Sequence, residues 1–281
     1  MANRYSDCVR RCEPCGIGFS NARVNPTEIF RIVTDNLPEQ VREGALETLR
    51  AALNERNRPN KIVRFGFSTS EDALTWTVFT SLAQSGQLAE ALRAIDATES
   101  TVAPAALLLW GVPYPPQSSR GTQIRQQLID ICHALGERPD STSEPDVIVD
   151  FGDAGLVFIE VKYRSRNERR ATGSVYSRYV ASTDAFKDGN KVVQSELYEL
   201  ARNWRIGTEL AGRRNFTLVN LVVFSDSVER SRVEQFTAGL ATGHDWRFRV
   251  VNWNRLTSVF DKPGWLGQYL EERLGKVSHS S

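Results

Sequence analysis

The sequence is nearly without net charge: 35 Lys and Arg stand against 34 Asp and Glu, a formal +1 over 281 residues. A chain that coats nucleic acid by bulk positive charge is thereby excluded, and any anion-binding surface has to be local. Long apolar runs are missing as well. No stretch of about 18 apolar residues occurs, so no membrane-spanning helix is expected. The opening Met-Ala-Asn-Arg-Tyr-Ser-Asp lacks the apolar core of a secretory leader, and the two absences together predict a soluble, cytoplasmic protein. No phosphate-binding G-x-x-x-x-G-K-S/T loop is present, so no nucleotide cofactor is expected. There is no internal repeat, and no low-complexity segment beyond the terminal Ser-His-Ser-Ser.

Cysteine is also scarce, yet three of the four residues, Cys8, Cys12 and Cys15, fall in one C-x-x-x-C-x-x-C-G stretch. That spacing suits metal binding or reduced thiols better than a disulfide framework. The three thiolates could grip structural Zn²⁺ if Cys132 or His133 supplied a fourth ligand. The alternative is three reduced thiols in a Gly-rich loop, with Cys132 simply part of a core helix.

What is present is enough apolar material, 41% of the chain, for one large α/β domain with an appendage. Asn25, Pro26 and Glu28 form a capping pattern that predicts a helix over 25–36. A second helix is expected from 38 to about 53, stopped by Asn-Arg-Pro-Asn at 57–60. Residues 1–60 thus read as a small helical appendage, and 61–281 as the main domain. Residues 61–67 read as a short strand. Ser68-Thr-Ser-Glu71 then caps a helix to about 83, in which Glu71 shares the stripe of Leu74, Val78 and Leu82. That carboxylate either completes the cap or belongs to a site.

Further helices are expected over 87–95, 121–135, 190–203, 228–240 and 264–274, and strands over 216–224 and 246–252. Residues 101–110 fit either a buried strand or a short core helix. The strand, helix, strand order near the C-terminus predicts parallel pairing. The fold class is therefore α/β with a mixed sheet.

The organising stretch is 144–167. Two apolar runs, 147–151 and 156–163, flank Gly152-Asp-Ala-Gly155, a hairpin signal. Asp146 stands at the start of the first strand, and Glu160 and Lys162 lie two apart on the second, so the latter pair projects from one face. Asp146 joins that face only if paired residue numbers add to 306 or 308, which demands an odd loop of three or five residues or a bulge. Asp150 alternates onto the same face and is a rival ligand. An ordinary surface hairpin with a Glu-Lys pair is the alternative. Downstream, Lys162, Arg164, Arg166, Arg169, Arg170 and Arg178 stand against a single acid over 161–180. This basic excess, with Asn167, suits a loop contacting a phosphate backbone or one that is merely solvated.

Taken in order, Glu71, Pro145-Asp146, Glu160-Val161-Lys162 and Gln194-Ser-Glu-Leu-Tyr198 resemble the motifs of the PD-(D/E)XK nuclease superfamily, in the RecB-like branch that carries QxxxY. The resemblance covers about residues 68–224. It implies a restriction-endonuclease-like core and hydrolysis of DNA phosphodiesters with Mg²⁺, for which Mn²⁺ could substitute. Asp146, Glu160, Glu71 and the Val161 carbonyl would hold the metal. Lys162 would orient or deprotonate the attacking water or neutralise the phosphate. Gln194 and Tyr198 would steady the water, Lys162 or the nucleic-acid backbone. A double-strand cutter with one site per chain would work as a homodimer. The competing functions are a catalytically inactive nucleic-acid-binding module with a zinc knuckle, and a structural zinc or assembly protein.

Overall fold

The computed structural model describes residues 4–24, 26–167, 173–223, 226–243, 245–258, 260 and 264–278. The chain begins with three short strands, β1 (Arg10–Cys12), β2 (Ile17–Phe19) and β3 (Glu28–Phe30), paired antiparallel in that order. The helix expected over 25–36 is therefore a strand followed by a 3-10 turn, Val33–Asn36. Ile29 and Phe30 are good strand formers, and the main chain here bonds outward: Phe30 N donates to Gly66 O, and Ser68 N to Glu28 O. Long-range pairing overrides the local cap signal.

A 3-10 turn, Glu39–Val41, and α1 (Ala45–Ala51) replace the continuous helix expected to 53. Gly44, at φ 74°, breaks the run. α2 (Arg58–Phe65) stands where a strand was expected over 61–67. Pro59 read as a terminator, but proline is tolerated in a first helical turn, and Lys61 and Phe65, four apart, both turn inward. The boundary expected at residue 60 falls inside this helix. Leu37, Val41, Ala45 and Leu49 also pack into the main core rather than into a separate one.

α3 (Glu71–Gln84) is capped by Ser70, whose Oγ accepts from Ala73 N, and its interior from Ala73 to Leu82 is wholly buried. α4 (Leu88–Ala94), the hairpin β4 (Ala106–Leu109) and β5 (Val112–Tyr114), and α5 (Ser119–Ala134) follow. Of the two readings of 101–110, the strand holds. Then come β6 (Val147–Asp150), β7 (Leu156–Lys162), α6 (Gly173–Val180), α7 (Gly189–Ser195), α8 (Tyr198–Ala211), β8 (Phe216–Val222), α9 (Ser227–Gly239), β9 (Trp246–Asn252), α10 (Trp253–Thr257) and α11 (Trp265–Ser278). No helix of the described residues is long and apolar enough to cross a membrane.

The main sheet is mixed, with strand order β5-β4-β6-β7-β8-β9. β4 to β7 pair antiparallel, while β7, β8 and β9 run parallel, as the strand, helix, strand order near the C-terminus requires. Helices cover both faces, so the inner parallel strands β7 and β8 are buried along their whole length, while β9 at the edge keeps Arg247, Arg249 and Asn252. One face sets Val147, Val149, Val157, Ile159 and Val161 against α3, α10 and α11. The other sets Ile148, Phe158 and Leu218 against α5, α8 and α9.

The single helix expected over 190–203 is interrupted. Glu196 takes the left-handed conformation, φ 58°, and ends α7, while Leu197 is fully buried between the two helices. Ser195 Oγ donates to Val192 O and accepts from Leu197 N, so a side chain satisfies backbone groups that helix termination frees.

A candidate active site at the end of β7

β6 and β7 pair Val147 with Ile159 and Asp150 with Leu156, so paired numbers add to 306 and residues 151–155 form a five-residue loop. One step further along this register, Asp146 stands opposite Glu160. β7 runs past the start of β6, which leaves the N–H groups of Val161 and Tyr163 without strand partners on that side. Carboxylates take them: Val161 N donates to Asp146 Oδ2 at 2.8 Å, and Tyr163 N donates to Glu71 Oε2 at 2.6 Å. Glu71 is thus not the capping-box residue expected from Ser68: Ser70 is the N-cap, Glu71 is the first residue of α3, and its carboxylate turns to the end of β7. It also accepts from Ser165 Oγ at 2.7 Å.

Glu160 is almost completely buried. Lys162 Nζ donates to its Oε1 at 2.6 Å and Asn203 Nδ2 to its Oε2 at 2.7 Å. Lys162 lies as close, 2.8 Å, to Glu199 Oε2 on α8. Across the opening, Lys61 Nζ is 2.7 Å from Glu144 and 3.5 Å from Asp72, and it lies over the Trp110 ring. These groups line a cleft of about 390 Å³ that holds six carboxylates (Glu71, Asp72, Glu144, Asp146, Glu160, Glu199) and five cations (Lys61, Arg64, Lys162, Arg166, Arg202). An adjoining groove of about 240 Å³ shares Arg64, Glu71 and Asp72 and adds Arg164.

The crowding shows in the proton affinities. Burial pushes Asp146 up to about 7, against the pull of Lys162 and with the help of Glu71. Burial likewise pushes Glu160 up to about 8, Lys162 opposing and Asp146 and Glu199 adding repulsion. Glu71 and Asp72 are raised by burial too. For Lys162, burial favours the neutral amine, but Glu160, Glu199, Glu71 and Asp146 overcome it and hold the group well above the ordinary lysine value. Lys61 is raised in the same way, Asp72 and Glu144 outweighing its burial, so both lysines are charged.

A stability effect follows. In the unfolded chain Asp146 and Glu160 ionise near pH 4, and in the fold they do so at about 7 and about 8. Between those limits the native state binds more protons, so both groups cost stability as pH rises. Asp146→Asn is expected to gain on the wild type steadily from about pH 4 to about pH 7, and to hold that gain above it, in thermal melts of metal-free protein. A difference that stays constant across that range would show that Asp146 is not held in this way.

The donors are hard oxygens at close quarters, the set that Mg²⁺ and Mn²⁺ prefer, and a cation would favour the ionised carboxylates against the burial and mutual repulsion that raise them. The groups do not converge unaided. Among the described residues no three His, Cys, Asp or Glu side chains form a ready ligand cage. Of the cysteines, Cys12 and Cys15 lie together with their thiols hydrogen-bonded. Cys8 is buried against Ile29, Cys12 and Cys15 are exposed, and Cys132 packs in the separate core between α5 and α8, with His133 exposed beside it.

Other expected residues lie elsewhere. Gln194 is exposed and its Oε1 accepts from Gln235 Nε2. The helix break at Glu196 separates it from Tyr198, so the two do not share one helical face. Tyr198 OH donates to Tyr179 OH at 3.5 Å, and its ring lies under Arg202, which is its link to the cleft. Asp150 is no ligand candidate: fully buried, it is gripped by Arg120 (2.7 Å) and Arg214 (2.6 Å) at the far end of β6. In the basic loop, Arg164 stacks on Tyr163 and Arg166 pairs with Asp226 at 2.6 Å. Asn167 is 3% exposed and donates to Glu229, so it offers no free surface. Arg169 and Arg170 lie outside the described residues.

Sequence reasoning missed Lys61, Asp72, Glu144, Glu199, Arg202 and Asn203. For the α8 residues a signal existed: Arg202 and Asn203 follow Glu199 at the three- and four-residue spacing of one helix face. For Lys61 none did, because it was read as part of a strand. No family model, no curated protein and no solved structure matches this chain.

Proposed function

We propose that this chain is a metal-dependent nuclease of the PD-(D/E)XK type, with a restriction-endonuclease-like core, that hydrolyses phosphodiester bonds in DNA. The observation that carries the reading is the hairpin register, which sets Asp146 opposite Glu160 with Lys162 two residues on, all three lining one open cleft. Ordinary surface hairpins have no use for a buried carboxylate pair, which is costly without a cation or a chemical task.

Asp146 and Glu160 would hold the cation, with Glu71 beside them at the end of β7. When bound, a hard divalent ion supplies Lewis acidity and positive charge to the scissile phosphate. Lys162, kept protonated by its carboxylate neighbours, is suited to stabilise negative charge developing on the phosphate rather than to take up a proton. Arg64 and Arg202 on the cleft wall, and Arg164 in the adjoining groove, supply contacts to neighbouring phosphates, which position a nucleic acid without reading its sequence.

Protein stripped with EDTA is expected to leave plasmid and single-stranded DNA intact and to cleave when Mg²⁺ or Mn²⁺ is restored. Absence of cleavage of either DNA with both metals would overturn the reading.

A further inference from the structure

Of the carboxylates around Lys162, two from different elements lie within ion-pair distance. Its Nζ lies 2.6 Å from Glu160 Oε1 on its own strand and 2.8 Å from Glu199 Oε2 on α8. Both oxygens of Glu160 are engaged, because Asn203 Nδ2 donates to the other one. A cation that takes Glu160 Oε1 draws it away from Lys162. Were Glu160 the sole partner, that step would strand a buried ammonium without a counter-charge, an arrangement proteins tolerate poorly.

Glu199 removes that obstacle. It sits in the first turn of α8, which is fixed by the fully buried Leu200, Ala201 and Trp204, so its carboxylate does not depend on the conformation of β7. Its side chain is 19% exposed against 5% for Glu160, so it stands at the open side of the ammonium. We propose that Glu199 is the standing counter-ion of Lys162, a positioning residue that frees Glu160 to bind a divalent cation while Lys162 stays charged and in place. The inference rests on the metal-dependent reading above.

The test is Mn²⁺ affinity, measured calorimetrically on the full chain for wild type, Glu199→Gln, Glu199→Asp, Lys162→Met and the Glu199→Gln/Lys162→Met double variant. Glu199→Gln is expected to weaken Mn²⁺ binding about tenfold, a normal size for coupling between neighbouring charged groups. Glu199→Asp, which keeps the charge, stays near wild type. In the Lys162→Met background the same Glu199→Gln change should cost less than about threefold, because no ammonium remains to be held. Wild-type affinity in Glu199→Gln would overturn the proposal. So would an undiminished tenfold loss in the Lys162→Met background, which would make Glu199 a direct ligand or a mere through-space charge. A wild type that binds no Mn²⁺ overturns this proposal and the metal-dependent reading together. Mn²⁺ binding with the expected coupling but without DNA cleavage upholds the role of Glu199 and sinks the nuclease.

Discussion

Asp146→Asn and Lys162→Met are each expected to lower the proposed Mg²⁺-dependent DNA cleavage by about 10³-fold or more, the scale of losing a charged group that acts on the reacting centre. The substitutions are chosen for what they leave behind. Asparagine keeps the size of Asp146 and an oxygen to accept from Val161 N, so the end of β7 stays closed while the charge that would hold a cation is gone. Methionine keeps the apolar stem of Lys162, which is buried along the sheet, and removes only the ammonium between Glu160 and Glu199. Gln194→Ala is the internal comparison. Because Gln194 is exposed and faces Gln235, its loss leaves cleavage unchanged. Single-turnover rates with saturating metal, on variants whose circular dichroism matches the wild type, decide the matter. Full activity in either charge variant would remove Asp146 or Lys162 from the site.

Gly207→Ala lowers stability by about 3 kcal/mol or more, the second large effect expected. Inside a helix this change ordinarily stabilises by about 1 kcal/mol. Here the sign reverses because a Cβ on Gly207 would lie 2.0 Å from Cζ of Phe216. That ring has nowhere to go: it is fully buried, edge-on to Phe158 at 5.4 Å and against Trp204 at 5.6 Å. Either α8 lifts off β8 or the aromatic cluster repacks. Lifting α8 would also displace Glu199, Arg202 and Asn203, so cleavage should fall with stability. Gly275 in α11 is the control. Among the described residues nothing lies within 4 Å of the position its Cβ would take, and Gly275→Ala should stabilise by about 0.5–1 kcal/mol. Thermal melts of the two variants should therefore move in opposite directions, the first by about 6–12 °C downward. A Gly207→Ala protein that melts with the wild type would contradict the packing of α8 on β8.

The sequence by itself determined the hairpin and most of what it presents. Alternation fixes which residues of 147–150 and 156–162 share a face, and the demand that Asp146 face Glu160 forces an odd loop. The five residues 151–155 meet that demand. The parallel pairing of β8 with β9 also followed from element order, because a helical crossover leaves little other choice. These are short-range or topological constraints, and they survive any tertiary context.

Tertiary structure decided the rest. Residues 26–36 carry a legible capping box, yet pairing with β2 and the chain at Gly66 draws Glu28–Phe30 into a strand. Residues 58–65 look breakable at Pro59, yet burying Lys61 beside Glu144 and Phe65 in the core favours a helix. The left-handed turn at Glu196 has no glycine to announce it, and it is what parts Gln194 from Tyr198 and turns α8 so that Glu199 and Asn203 face the strand. A side chain's chemistry is written at its own position. Which carboxylate meets Lys162 depends on the path of a helix 37 residues further along the chain, and that path is set by where Leu197, Leu200 and Trp204 find apolar neighbours.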